Sequence, residues 1–202
     1  MEFSLAALPL PARIRPEKAM TDDEFLAFCR ANDLLNIERQ SSGEIIVMTP
    51  AGGARDRREI LVASELLYWA EEDGRGISFG SSAGFILSDR ATLSPDAAWV
   101  RRELWEALTP QEREKFLPFC PASVVEVISP SDSVRETQDK MQQWIDNGAE
   151  LGWLFDPYRK TLTIYRAGVT PEVLFEPESI EAAGPAAGPA VGFRLSLKRI
   201  WA

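Results

Sequence analysis

Between Pro121 and Pro130 the chain runs Ala-Ser-Val-Val-Glu-Val-Ile-Ser. Val124, Val125, Val127 and Ile128 are β-formers without polar alternation, the pattern of a short strand buried on both faces. Strands of that kind belong to sheets covered on both sides, so this stretch narrows the fold more than any other. Glu126 sits in its middle. A lone carboxylate is costly to bury unless it meets a partner, a proton or a metal. What Glu126 faces is therefore the first question the chain poses.

The segments downstream set the topology. Ser129-Pro-Ser-Asp-Ser133 reads as a turn and cap. Val134, Met141, Trp144 and Ile145 have helical spacing, and Asn147-Gly148 is a C-cap. Leu151-Gly-Trp-Leu-Phe155 is a second buried strand. A crossover helix between two buried strands implies parallel pairing in part of the sheet, hence an α/β fold with a mixed sheet. Upstream, residues 1–19 carry Pro9, Pro11 and Pro16 and read as an extended arm, leaving 20–202 as one domain. Thr21-Asp-Asp-Glu24 is a capping box opening a short helix to about Asn32. Leu34–Glu38 and Glu44–Thr49 read as a hairpin joined by Ser41-Ser-Gly43. After the loop Pro50–Ala54, an amphipathic helix is expected from about Arg57 to Asp73, stopped by Gly74 and Gly76. Ile77–Phe79, Gly84–Leu87 and Leu93–Val100 read as three strands. Arg101–Phe119, with a helix start at Thr109-Pro110, reads as a surface insertion. Thr161–Tyr165 alternates and suggests a half-exposed strand with Val173–Phe175 beyond it. Residues 176–190 read as a loop, and Phe193–Leu197 as a last strand.

Composition removes several chemistries. The 202 residues include no histidine, which excludes a Ser-His-Asp triad, a Cys-His dyad and His-ligated zinc. Two cysteines, Cys29 and Cys120, give no disulfide framework and read as buried thiols. Trp69, Trp99, Trp144 and Trp153 read as core. No apolar run spans a bilayer, and Leu5–Leu10 is a poor signal peptide, so no membrane association and a cytoplasmic location are expected. The net charge of −9 sits least easily with nucleic acid, although local basic loops can coexist with it.

Chemistry must then run on carboxylates, Lys, Tyr, Ser or Cys. Asp96 ends Ser-Pro-Asp on one strand, Glu126 lies on the next, Glu59 is on the preceding helix and Lys140 on the following one. Two carboxylates on neighbouring strands can share Mg²⁺, which takes oxygen ligands and keeps several waters. Such an ion activates water and steadies charge on a scissile phosphate, and a nearby lysine assists. Each residue also has an ordinary explanation. Asp96 can cap a turn. Glu126 can pair with Arg101 or Arg102, Glu59 with Arg55 or Arg58, and Lys140 with Glu136.

Pro95-Asp96 followed by Glu126 in Val-Glu-Val resembles the PD-(D/E)xK nuclease superfamily. More narrowly, the chain resembles the bacterial Uma2-like restriction endonuclease family, long carried as a domain of unknown function. The similar pieces are Gly43–Pro50, Ser94–Val100, Val124–Asp132, Asp139–Gly148 and Leu151–Pro157. The resemblance implies a restriction-endonuclease-like core with a central mixed β-sheet flanked by helices. To this core are added an N-terminal helix and hairpin and C-terminal β elements. It also implies metal-dependent cleavage of DNA, a Mg²⁺ or Mn²⁺ site at Asp96, Glu126 and Glu59, and a homodimer. The superfamily places lysine two residues after the second carboxylate, where this chain has Ile128. The narrower family moves it to the following helix, where Lys140 fits, roughly 10 Å along the axis. Arg55, Arg57 and Arg58 after the Gly-Gly loop, and Gln138 on the Lys140 helix, are candidate DNA contacts. The alternative from another class is a non-catalytic binding or regulatory module on the same fold. A carboxylate-pair glycosidase is a distant third.

Overall fold

The computed structural model describes residues 10–49, 52–130, 132–182 and 189–202. Parts of the expected arm, of the 50–54 and 129–133 turns and of the 176–190 loop lie outside them. In chain order the elements are β1 (Ala12–Ile14), α1 (Asp22–Arg30), β2 (Asn36–Arg39), β3 (Ile45–Met48), α2 (Gly53–Asp73), β4 (Gly76–Gly80), β5 (Phe85–Ile86), β6 (Thr92–Leu93), β7 (Ala97–Arg101), α3 (Arg102–Glu106), α4 (Pro110–Arg113), β8 (Ser123–Val127), α5 (Val134–Asp146), β9 (Leu151–Asp156), β10 (Thr161–Arg166), β11 (Val169–Phe175), β12 (Ser179–Glu181) and β13 (Arg194–Ser196).

The central sheet has six strands in the order β11-β10-β9-β8-β7-β4. Only β8 and β9 pair parallel within it, joined by α5, with Glu126 opposite Leu154; its other pairings are antiparallel. This is the mixed α/β arrangement expected from the two buried strands around the crossover helix. All five residues of β8 and all six of β9 are buried. One face carries Val125, Val127, Trp153 and Phe155, packed against Val62, Leu66 and Ala70 of α2 and Phe193, Leu197 and Ile200 of the C-terminal segment. The other carries Val124, Ile128 and Leu154 against Met141, Trp144 and Ile145 of α5. Gly152 lets α5 come down onto β9: a Cβ there would stand 2.4 Å from the Met141 methyl.

A second sheet, β1-β3-β2-β6-β5, is built on the N-terminal hairpin. Its small core of Phe25, Ile45 and Val47 joins it to α1. The capping box of Thr21 and Glu24 opens α1, and Thr109 with Glu112 opens α4 in the same way. No helix among the described residues is long and apolar enough to cross a membrane.

Several boundaries differ from the pattern-based expectations for physical reasons. The expected strand Leu93–Val100 is two strands in two sheets. Pro95 cannot donate to a ladder, and there the chain leaves the hairpin sheet for the central one. Helix α2 begins at Gly53, not Arg57, because extended Gly52 accepts the first helical hydrogen bond from Asp56 at 3.0 Å. Strand β10 is buried from Leu162 to Tyr165 rather than half-exposed, since its two sides feed the two cores on opposite faces of the sheet. The 176–190 segment contains β12, which pairs with β13 as a separate ribbon. Residues 12–14 of the expected arm pair with Ile45–Val47 as β1. The free edge of β11 carries Pro171, and a register shift interrupts its pairing with β10; both blunt it as a site for strand addition.

Candidate active site

The carboxyl end of the parallel pair β8/β9 is where ligands bind in sheets of this kind. Pro95 turns Asp96 onto it from β7's side. Asp96 is 5% exposed, and its Oδ2 accepts a 2.6 Å hydrogen bond from the Val127 amide, one residue past Glu126. Glu126 is 3% exposed. Its Oε1 receives the Trp144 indole N–H at 3.0 Å and lies 2.9 Å from Lys140 Nζ. Trp144 is thus core and, in addition, a donor that fixes the carboxylate.

Lys140 reaches back from α5 to the strand end, as its place in the helix suggests. Its ammonium also lies 2.8 Å from Glu38 Oε1 and donates to the Ser94 carbonyl at 2.8 Å. Glu38, on β2, accepts in turn from the Ser94 amide at 3.1 Å. The pairing with Glu136 that spacing allowed is replaced by these contacts; Glu136 pairs with Arg13. On the other side, Arg55 binds three carboxylates: Glu59, Asp96 Oδ1 at 3.1 Å and Asp132 Oδ2 at 3.3 Å. The Asp132 oxygen also accepts from the Ser129 amide at 2.8 Å. The sequence-predicted residues thus lie in two adjoining clusters, Glu126 with Lys140 and Asp96 with Glu59 through Arg55, linked by the Val127 amide that binds Asp96 beside Glu126.

Electrostatics in this network are strained toward excess negative charge. Five carboxylates, Glu38, Glu59, Asp96, Glu126 and Asp132, share Lys140 and Arg55. Burial pushes the Glu126 carboxyl up to about 8; Lys140 opposes this, and Asp96 and Glu38 reinforce it. Burial pushes Glu59 up to about 7, with Asp96 adding and Arg55 opposing. For Lys140, burial favours the neutral amine, but Glu126, Glu38 and Asp96 outweigh it and lift its pKa above the ordinary value. Such a cluster is relieved either by retained protons or by a cation. The donors of Asp96 and Glu126 are all oxygen, which suits Mg²⁺ or Mn²⁺ held by one or two carboxylates together with water and phosphate. Among the described residues no three Asp, Glu, His or Cys side chains gather as a ready-made metal cage. Asp96 and Glu126 are the two buried carboxylates that could take part in such a site, and Glu59 is bridged to Asp96 through Arg55.

The network opens on two cavities that share Glu59 and Asp96. One, of about 800 Å³, lies between the hairpin sheet and the central sheet and is lined by Glu38, Arg55, Asp132 and Lys140 among others. The second, of about 670 Å³, is lined by Asp56, Ile60, Phe79, Trp105, Arg113 and Phe116 among others.

The basic residues and glutamine expected at DNA are dispersed. Arg55 is committed to the three carboxylates. Arg58 donates to the carbonyls of Ile200 and Ala202, both at 2.9 Å, and its guanidinium lies over the Tyr158 ring. Arg57 is exposed. Gln138 is exposed and, two residues from Lys140, points about 200° away from it around α5. Glu38 and Asp132 were not among the expected site residues. Glu38 gave no local signal: with Asn36 before it and Arg39 and Gln40 after it, it reads as an ordinary polar position of a half-exposed strand.

The family model "Uma2: Putative restriction endonuclease" matches residues 22–192. A crystal structure described as a putative nuclease belonging to DUF820, from Anabaena variabilis ATCC 29413, superposes with a TM-score of 0.65 at 21% identity, covering 90% of this chain and 97% of that one. This likeness shows a nuclease-like fold. No curated protein matches the chain significantly.

Proposed function

The chain belongs to the Uma2 family, and on that premise we propose that it is a divalent-metal-dependent endonuclease that hydrolyses phosphodiester bonds in DNA. The observation that carries this reading is the position of Lys140, 2.9 Å from Glu126, while Asp96 is anchored on the adjacent Val127 amide. The superfamily's two carboxylates and lysine are then all present, with the cation supplied from α5 because position 128 is isoleucine. Asp96 and Glu126 would hold Mg²⁺ or Mn²⁺, and Glu59 supports them through Arg55. When bound, the ion supplies a water of lowered pKa and neutralises charge at the scissile phosphate. The chain's own groups do the rest. Val127 N–H fixes the Asp96 carboxylate, and Trp144 Nε1–H fixes that of Glu126. Glu38 holds the Lys140 ammonium, which orients the attacking water and balances charge as the phosphate is attacked. Preorganisation of this kind leaves little to rearrange at the moment of reaction.

The test is calorimetric Mn²⁺ and Mg²⁺ binding together with plasmid nicking, on the wild type and on Asp96→Asn, which keeps an acceptor for the Val127 amide. Wild type should bind and nick; Asp96→Asn should bind at least about tenfold more weakly and nick at least about a hundredfold more slowly. Equal metal binding by both proteins would sink the assignment.

One observation favours a second reading. Lys140 has three N–H donors and three partners, Glu126, Glu38 and the Ser94 carbonyl, so its role could be wholly structural in a non-catalytic binding module. Metal binding without cleavage of plasmid, linear or branched DNA would select that reading.

A further inference from the structure

Helix α2, 21 residues long, buries Glu59, Val62, Leu66 and Ala70 on one side. At roughly 100° per residue, the opposite side is a stripe centred on Ser64 that carries Arg57, Ile60, Leu67, Tyr68 and Glu71. A surface helix normally presents polar residues there. Here Ile60, Leu67 and Tyr68 stand in solvent at 62%, 45% and 70% exposure. Arg57 and Glu71, at the two ends of the stripe, are exposed and make no hydrogen bond or ion pair with any described residue.

The order along this stripe is its own complement. Let a second α2 lie antiparallel across the first with Ser64 against Ser64. Position 57 then meets 71 and 60 meets 68. Each Arg57 faces a Glu71, each Ile60 packs beside a Tyr68, and the twofold axis makes every contact twice. The small Ser64 at the crossing permits axes about 8–10 Å apart. Asp56 and Glu72, the like-charged couple of the same symmetry, lie about 80° to opposite sides of the stripe and do not meet. We propose that this face of α2 is the interface of a symmetric homodimer, closed by antiparallel packing of α2 on α2 of a second copy about Ser64. A second copy is favoured over an unrelated partner because the charges at the ends complement each other under the dyad. β11 also exposes Val169, Val173 and Phe175, but Pro171 and a register shift blunt its edge for pairing with a second copy. Ile60 also lines the smaller cavity beside Glu59 and Asp96, so the second copy would lie along its rim. Nothing in this contact depends on a metal or on nuclease activity.

Sedimentation equilibrium of the full chain in EDTA, over about 1–100 μM, tests it. Wild type should show a monomer–dimer equilibrium. Ile60→Asp should weaken it at least about tenfold with an unchanged circular dichroism spectrum, since it places a charge twice in the apolar strip. Arg57→Glu and Glu71→Arg should each weaken it about tenfold by setting like charges face to face. The double variant should return to within about threefold of wild type. A wild type that stays monomeric at the highest concentration, a dimer indifferent to Ile60→Asp, or a double variant no tighter than the single ones would each overturn the proposal.

Discussion

Replacing Glu126 by glutamine should make the metal-free protein more stable at alkaline pH. The amide carbonyl of the Glu126→Gln side chain can still accept from Trp144 and Lys140, but it cannot ionise, and Lys140 keeps Glu38 as its counter-ion. In the folded wild type, burial holds the Glu126 proton up to about 8, against 4.5 for the free side chain. Below about pH 4.5 both folded and unfolded states carry the proton and there is no penalty. Between about 4.5 and 8 the unfolded chain releases a proton that the folded protein retains, so stability falls as pH rises and levels off above that window. Taken alone the interval corresponds to about 5 kcal/mol. Lys140 opposes the shift and the surrounding groups relax, so roughly 2–4 kcal/mol should reach a denaturation curve. For a chain of this size that is on the order of 5–15 °C in Tm. The assay is urea unfolding of both proteins in EDTA at several pH values from 5 to 8.5. The variant and wild type should be close at pH 5, with the variant pulling ahead as pH rises. Glu59 contributes to both proteins alike and cancels in the difference. A difference that stays constant with pH, or that turns toward the wild type at pH 8.5, refutes the buried-carboxylate account. Mg²⁺ added at pH 8.5 should restore the wild type by about 3 kcal/mol at a hundred times its Kd and leave the variant unchanged.

Glu38→Gln keeps the Ser94 contact but removes one of the two carboxylates on the Lys140 ammonium; it should lower the cleavage rate by about 10–100-fold with little change in KM, read by single-turnover kinetics, and Glu38→Asp should recover part of the loss. Gly76→Ala should destabilise the fold by roughly 1–3 kcal/mol, read by thermal denaturation, because its Cβ would stand 2.1 Å from the rigid, buried Trp99 indole.

The strand–helix–strand from Val124 to Phe155 was legible because every local signal agreed: unbroken β-formers, a capped amphipathic helix, then a second apolar run. Burial on both faces of β8 and β9 bears that out. The capping boxes at Thr21 and Thr109 were legible for the same reason, since residues three apart in sequence complete each one. What local patterning could not supply was the second sheet's part in the site. Glu38 lies 102 positions from Lys140, and their meeting depends on Pro95 carrying the chain from one sheet to the other between β6 and β7. Segment by segment, Leu93 to Val100 looks like one strand, which hides that crossing and with it the reason Asp96 sits between the layers. Arg55 was legible only as a basic residue after the Gly-Gly loop, a candidate DNA contact, and its placement has an electrostatic cause of a different kind. Its guanidinium binds Glu59, Asp96 and Asp132, contributed by α2, the β7 approach and the β8–α5 turn. The carboxylate in an apolar strand, anomalous in the sequence, thus resolves into two clamps. Lys140 ties Glu126 to the hairpin sheet and Arg55 ties Asp96 to α2, and together they still leave more negative than positive charge. A surplus held in place by two sheets and two helices is costly to a metal-free fold, and the pH dependence of stability measures that cost before any substrate is added.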